Sequence, residues 1–507
     1  MDRNELRVTA RRLIAIALVI GVLGDIALDG SAAGINVPLM TAAVLAAAWL
    51  VRRRGRAPDP VDAWLPAAAL ALSLMVALRA DPFLAALDLA GAAAFTGASM
   101  AAFSGLAVTR RSLSVVLVMA AWVIESTLAG AARLTIAARP APRDTPRTWP
   151  TWLGPIVRGL ILAGPLVLIF AVLFASADPI FRRGFEDVMG FRLDLGALPG
   201  RVLFVAGIAW LVAGLLAVAA RGLPAVEAAS LGAAAPPVAP PVVSGFGRSL
   251  GLVEAMVVLV AVDAIVASFV GLQLAYLFGG LDTLAAAGMT YSDYARRGYF
   301  ELVAAAALAG AVLVFLEYQV VRRPRIYLVA SLALVALTLV VLASAVLRLQ
   351  LYQDAYGWTE LRLYVAVSIL AMAATLVTLA VFLATDRTRW LGHVMAVIGL
   401  LALIGLNAIA PAAFVAERNL ARVVDPSLVP PDGEARLDAS YLALLPDDAI
   451  PALVAALPRL SGDDAHRLAI LLRDRRDEIA GEPAYQTPFS WNLGRVRARE
   501  ALATVPD

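Results

Sequence analysis

The dominant feature of this sequence is a long series of apolar runs separated by short polar segments. A helix that crosses a bilayer needs roughly 20 mostly apolar residues, and about eleven runs are candidates. Hydrophobic residues make up 61% of the chain and charged residues 16%, against roughly 45–50% and 25% in soluble domains. The sequence therefore predicts an all-α fold, a polytopic membrane protein with about eleven transmembrane helices and a small helical C-terminal domain. The runs are Leu13–Leu28, Ile35–Val51, Trp64–Leu78, Phe83–Val108, Gly154–Phe174, Val202–Ala220, Leu250–Leu277, Phe300–Val320, Ile326–Leu347, Tyr364–Ala384 and Leu391–Ala410.

The distribution of arginine predicts how these helices are oriented. All 42 basic residues are arginine, and Arg3, Arg7, Arg11 and Arg12 precede the first run. The positive-inside rule therefore places the N-terminus in the cytoplasm of a bacterial plasma membrane. The Lys-free, Ala-rich composition is typical of a GC-rich bacterial genome. A net charge of +3 over 507 residues gives no indication of a nucleic acid partner.

A shorter apolar run, Leu113–Ile124, can be interpreted in two ways. If it crossed the membrane, the arginines at 139, 143, 147 and 158 would lie outside, against the positive-inside rule. If it lies along the inner surface as an interfacial helix, they stay inside. We favour the interfacial placement.

These patterns divide the chain into four parts. Residues 1–111 form an N-terminal four-helix membrane segment, and residues 112–153 hold the interfacial helix and a cytoplasmic loop. Residues 154–411 form a seven-helix membrane core with a Pro/Ala linker near 221–248. Residues 412–507 form a small helical domain that we expect outside the cytoplasm, with Asp438 and Ser461 as helix N-caps.

The composition also excludes several kinds of chemistry. The chain has no cysteine and no lysine, so thiolate metal sites, disulfides, cysteine nucleophiles, P-loops and Schiff bases are excluded. Its two histidines, His393 and His466, lie far apart in sequence. We therefore predict no catalytic residue, cofactor or metal site.

Three clusters of acidic, arginine and aromatic residues mark where a polar site would form. They lie near residues 176–194, 273–301 and 348–364, and two helices separate each from the next, so they share one membrane face with the C-terminal domain. Within them we select Asp178, Arg182, Arg296, Glu301, Asp354, Tyr356, Glu360 and Arg362. The simpler interpretation is an interfacial aromatic belt with loop ion pairs.

Asp263 is the best single candidate for a functional carboxylate. It lies near the middle of Leu250–Leu277, and ionisable residues inside a membrane are costly. It would serve as a proton relay or as an arginine partner. The alternative role is a hydrogen-bonded packing residue.

Several short motifs together resemble a known family. The resemblance is to the bacterial multi-pass membrane family called domain of unknown function 4173, which is related to the 4153 family. It covers about Gly154 to Leu502, whereas the first third matches only in hydropathy. It implies an architecture but carries no activity, because the family has no established one. The motifs are 173–179 (LFASADP), 273–280 (QLAYLFGG), 294–302 (YARRGYFEL), 351–362 (LYQDAYGWTELR), 418–422 (RNLAR), 437–442 (LDASYL) and 491–492 (WN).

Three functions remain open at this point. The first is a sensor, scaffold or assembly partner that binds another envelope protein through the C-terminal domain. The second is an ion- or proton-coupled transporter that uses Asp263 and the clusters. The third is an envelope enzyme on a lipid-linked substrate, with Asp25 or Asp29 as its acid. Because the standard catalytic constellations are missing, we favour a non-catalytic role in the lipid bilayer, with the oligomeric state left open.

Overall fold

A computed structural model describes residues 3–52, 58–109, 111–138, 198–220, 251–278, 299–320, 324–430, 433 and 436–506. Throughout these ranges the regular secondary structure is helical, and they contain no β-strand. The predicted all-α class is therefore confirmed. The helices are α1 (Arg3–Leu28), α2 (Asn36–Val51), α3 (Trp64–Leu78), α4 (Pro82–Phe103), α5 (Leu113–Ala137), α6 (Leu198–Ala220), α7 (Leu252–Phe278), α8 (Tyr299–Gln319), α9 (Arg325–Tyr356), α10 (Glu360–Thr385), α11 (Leu391–Ile409), α12 (Pro411–Val424), α13 (Ala439–Ala443), α14 (Ile450–Ala456), α15 (Gly462–Gly481) and α16 (Leu493–Leu502).

Many of these helices are suited to a bilayer. Within the described ranges, 7 helices are long and apolar enough to cross a membrane: α3, α4, α5, α7, α9, α10 and α11. Shorter apolar segments occur in α2, α6 and α8. The polytopic membrane class is therefore confirmed. The total of about eleven spans stays a prediction, since Gly154–Phe174 lies outside the described residues.

The membrane helices form two bundles, each with its own apolar core. Helices α1 to α6 share the first core and α7 to α11 share the second. The first bundle is tightest where α5 meets α6, because a Cβ on Gly130 would lie only 2.8 Å from the Cα of Gly214. Small residues at this crossing allow the two backbones to touch.

A third core belongs to the C-terminal domain, which is formed by α12 to α16. The domain packs on the turns that join α1 to α2 and α3 to α4. The Ile35 N–H donates to the Trp491 carbonyl at 2.9 Å, and Asn492 Nδ2 donates to the carbonyls of Val76 and Arg79 at 2.9 and 2.7 Å. We call the side of the bundles that carries these turns the domain face.

Helix α5 is longer than the sequence suggested. It runs 25 residues, to Ala137, beyond the apolar run that ends at Ile124. Glu125 and Arg133, which follow that run, are partly exposed and form an ion pair with each other.

Both ends of α5 contact the side of the bundles opposite the domain face. A Cβ on Gly392, where α11 begins, would lie 3.3 Å from the Cα of Leu113. At the other end, Arg11 Nε donates to the Ala138 carbonyl at 3.3 Å. Although α5 is apolar enough to span, these contacts agree with a helix that lies along one surface. The interfacial placement stays a prediction.

Candidate functional site: a buried carboxylate junction

The structure describes only part of the predicted site. Asp178, Arg182 and Arg296 lie outside the described residues, and Glu301 is described only as part of the backbone of α8. The side chains that can be placed are those of Asp263, Asp354, Tyr356, Glu360 and Arg362.

Asp263 stands apart from the other predicted residues. It lies on α7 one turn after Leu259, which is buried in the second core. Its Oδ1 is buried and makes no hydrogen bond within the described ranges. Among these residues, no hydrogen bond or ion pair links it to the cluster at 352–362. The predicted site is therefore not brought together around Asp263.

Two of the predicted residues, Tyr356 and Arg362, support the turn between α9 and α10. The Arg362 guanidinium lies 3.9 Å from the centre of the Tyr352 ring and donates to the Gly357 carbonyl. The Tyr356 ring packs edge-on against Tyr352 at 5.2 Å, and the Asp354 side chain is exposed. These contacts are those of an interfacial aromatic belt and a braced loop.

The same turn is held from the other side by α12. Asn419 Oδ1 accepts from the Trp358 N–H and its Nδ2 donates to the Trp358 carbonyl, both at 2.8 Å. Arg422 donates to the last carbonyls of α9, those of Gln353, Asp354 and Ala355. Burial lowers the pKa of Arg422, although the Asp354 charge acts against this. The motifs at 351–362 and 418–422 are therefore contact partners.

Glu360 points away from this turn toward two other carboxyl groups. Its carboxyl is within hydrogen-bonding contact of the Asp81 carboxyl and close to Asp448. A carboxylate has only acceptors, so this contact requires a proton on one of the two groups. The three acids come from three different bodies: Asp81 from the first bundle, Glu360 from the second and Asp448 from the C-terminal domain.

Asp81 is the best stabilised anion of the three. It is buried and caps α4, since its Oδ1 accepts from the Phe83 and Leu84 N–H groups at 2.9 and 3.0 Å. Its Oδ2 accepts from the Tyr364 hydroxyl at 2.7 Å. These three donors and the N-terminus of α4 hold the Asp81 carboxyl group in place.

Asp448 brings the C-terminal domain to this point. Its Oδ2 accepts from the Ala80 N–H at 2.7 Å. Burial, with the nearby Asp81 and Asp447 charges, raises the pKa of Asp448 to about 6, although the Ala80 bond and Arg79 act against this. Beside it, the Tyr441 hydroxyl accepts from the Glu360 N–H at 3.3 Å, and burial raises the pKa of Tyr441. We call Asp81, Glu360, Asp448, Tyr364 and Tyr441 the carboxylate junction.

A second buried polar pair joins the bundles deeper in the membrane. Asn407 Nδ2 on α11 lies 3.0 and 2.9 Å from the two carboxylate oxygens of Asp88 on α4. Both residues are buried, and Asn407 Oδ1 has no hydrogen-bond partner among the described residues. An amide–carboxylate pair at this depth fixes the position of α11 against α4.

The two acids considered for an enzyme are already engaged. Arg201 Nη2 on α6 lies 2.7 Å from Asp25 Oδ2, and Arg201 Nε lies 3.5 Å from Asp29 Oδ2. This ion pair ties α1 to α6 at the domain face. In the part of the chain that the structure describes, no group of three His, Asp or Glu residues is arranged to hold a metal ion.

The fold and the junction define an α-helical, multi-pass integral membrane protein with a docked helical domain. Residues 67–456 match the profile of the family described as Domain of unknown function (DUF4153), and the chain belongs to this family. The resemblance inferred from the motifs is confirmed in the 4153 family. The match begins in α3, so the likeness extends further toward the N-terminus than the motifs suggested. No curated protein and no solved structure matches the chain.

Proposed function

We propose that this protein is a non-catalytic sensor of the bacterial envelope that responds to protonation of the carboxylate junction. The proposal rests on one observation: Asp81, Glu360 and Asp448 bring three separately packed bodies to a single, partly buried point. A change of charge at that point acts on all three bodies at once. An envelope protein partner would respond to the change by binding the C-terminal domain, where Leu444 is 84% exposed.

The direction of the response follows from Asp448. Its pKa rises from 3.8 to about 6 when it is buried in the docked state, so the docked state holds a proton that the undocked state releases. Docking is therefore strongest below pH 3.8 and weakens as pH rises toward 6. A pKa difference of about two between the docked and undocked states corresponds to about 3 kcal/mol of docking free energy. The Asp81–Glu360 pair acts in the same direction, because above its own titration two anions would face each other.

The test measures docking directly. Spin labels at Leu39→Cys on α2 and Leu444→Cys on the C-terminal domain report the distance between the two bodies, and the chain has no cysteine of its own. Both positions are exposed. We expect the distance distribution to be narrow at pH 4.5 and to broaden at pH 7.5.

Two substitutions distinguish the junction from a general effect of pH. Asp448→Asn keeps an uncharged side chain at the junction and leaves only the Asp81–Glu360 pair to respond, so its distribution at pH 7.5 should be clearly narrower than that of the wild type. Asp463→Asn makes the same change at an exposed residue of α15 and should behave as the wild type. An unchanged wild-type distribution across this pH range contradicts the proposal.

A proton-coupled transporter is the second candidate, favoured by Asp263 in the middle of α7, whose buried Oδ1 makes no hydrogen bond to any residue that the structure describes. Its test is proton flux in proteoliposomes with the wild type and Asp263→Asn. Loss of a measurable wild-type flux in the variant would favour transport. The absence of flux in both would leave the sensor as the better explanation.

A further inference from the structure

A large cavity lies between the two bundles. Its volume is about 1030 Å³, at the upper end of the roughly 300–1,000 Å³ typical of ligand pockets. It runs from Phe83 and Tyr364 beside the carboxylate junction to Trp64, Thr109 and His393 on the opposite side. Helices α3, α4, α5, α10 and α11 line it, almost entirely with apolar side chains.

The cavity exists because the helices that face it carry small residues there. Ala94 and Ala98 of α4 and Ala396 and Gly399 of α11 line it. A Cβ on Gly399 would meet nothing within 4 Å. Small residues usually let helices pack closely, but here they leave open space.

Such a space in a membrane is filled by lipid. Protein interiors are close-packed, and an empty apolar void loses dispersion contacts along its whole lining. The cavity also opens sideways toward the bilayer, since the lining residues Phe83 and Ile124 are 54% and 61% exposed. A hydrocarbon chain can enter from there without crossing a polar layer.

The charges at the two ends of the cavity favour one orientation of a bound lipid. At the end beside the junction, the lining residue Tyr364 donates to the Asp81 carboxyl group, and an acidic group there disfavours an anion. At the other end, Arg111, Arg387 and Arg389 are exposed on the loops that precede α5 and α11, and arginine pairs well with phosphate. His393 lies at the same end, and its Nδ1 makes no hydrogen bond within the described ranges.

We propose that the cavity is a binding site for an anionic phospholipid, with an acyl chain between α4 and α11 and the phosphate beside Arg387 and Arg389. The site is independent of the proposed sensor function. The lipid contacts both bundles along the interface between them. The carboxylate junction closes the same interface at the domain face.

Native mass spectrometry of the whole protein in detergent tests this site. The probes are phosphatidylglycerol and phosphatidylcholine with identical acyl chains. We expect the wild type to retain phosphatidylglycerol at least about tenfold better, a difference of about 1.4 kcal/mol. Gly399→Leu places a side chain in the cavity and should lose this retention. Gly405→Leu is the matched control, because a Cβ there also meets nothing within 4 Å but Gly405 does not line the cavity.

A second variant separates the head-group contact from the cavity. Arg387→Gln/Arg389→Gln changes only exposed side chains and should reduce the preference for phosphatidylglycerol while the bound chain is kept. Equal retention of both lipids by the wild type overturns the anionic head group. Retention by Gly399→Leu equal to that of Gly405→Leu, with both variants monodisperse, overturns the site.

Discussion

The carboxyl groups of Asp81 and Glu360 face each other within hydrogen-bonding contact across the interface between the two helix bundles. Neither acid has a described ion pair with an arginine, and Asp81 is stabilised instead by two backbone N–H groups and the Tyr364 hydroxyl. The interface is therefore closed by hydrogen bonds whose number depends on protonation. This relationship makes the junction sensitive to pH, and the stability of the protein should reflect it.

Glu360→Gln should stabilise the protein at alkaline pH. An amide donates to Asp81 at every pH, whereas two ionised carboxylates repel each other. We expect the free energy of unfolding to rise by about 1–2 kcal/mol at pH 8 and to change little at pH 4.5, as measured by thermal unfolding in detergent. Glu417→Gln, at an exposed position of α12, is the control and should change neither value. A gain of equal size at both pH values would argue against a shared proton.

Asn407→Leu should lower the free energy of unfolding more than removal of both polar side chains of the Asp88–Asn407 pair. The single substitution leaves the Asp88 carboxylate buried without its amide donor, a change that costs about 3–5 kcal/mol in buried pairs. The double substitution Asp88→Leu/Asn407→Leu removes both polar groups and should recover most of that stability. Unfolding of all four proteins in a double-mutant cycle measures the coupling. Additive losses would show that the two side chains act independently.

Gly357→Ala should destabilise the turn between α9 and α10. Gly357 has φ 80° and ψ −179°, a region that is almost restricted to glycine and costs about 1–3 kcal/mol for other residues. An added Cβ would also lie 2.7 Å from Asn419 Oδ1. We expect a lower unfolding temperature and faster exchange of the Trp358 amide proton. Gly405→Ala, where a Cβ meets open space, should leave both unchanged.

Cysteine labelling should place both ends of α5 on one side of the membrane. In the Cys-free chain, Ser112→Cys and Ala138→Cys should both react with an impermeant maleimide from the same side. Leu444→Cys in the C-terminal domain should react from the other side. If the cysteine at 138 is labelled together with that at 444, α5 crosses the membrane and the interfacial placement is wrong.

Local features of the sequence predicted the helices well. Apolar runs indicated α1 to α4 and α6 to α11, and Asp438 caps α13 as expected. Ser461 precedes α15 as expected but makes no side-chain cap hydrogen bond to the helix backbone. These signals lie within a few residues of the element that they define. The apolar pattern does not show that α5 continues beyond Ile124, because Glu125 and Arg133 interrupt it and their ion pair forms only once the helix exists.

The junction could not be found in the same way. Asp81 before Pro82 has the pattern of a helix cap, and that role is real. Its second partner, Tyr364, is 283 residues away, and nothing local indicates that Asp448 meets Ala80. Of the junction residues, only Glu360 is among the site residues that the sequence predicts, as one of several acids in a loop. Single-sequence patterns report neighbours along the chain, whereas this site is made by three bodies in contact.

The two bonds of Asn492 also set an order of events during biosynthesis. The carbonyls of Val76 and Arg79 end α3, and Val76 receives its donor from a residue 416 positions later in translation. Until the ribosome has made α16, the first bundle carries uncapped carbonyls at its domain face. A chain interrupted before Asn492 would leave the Val76 and Arg79 carbonyls exposed. A quality-control protease would then be able to distinguish the incomplete chain from the finished protein.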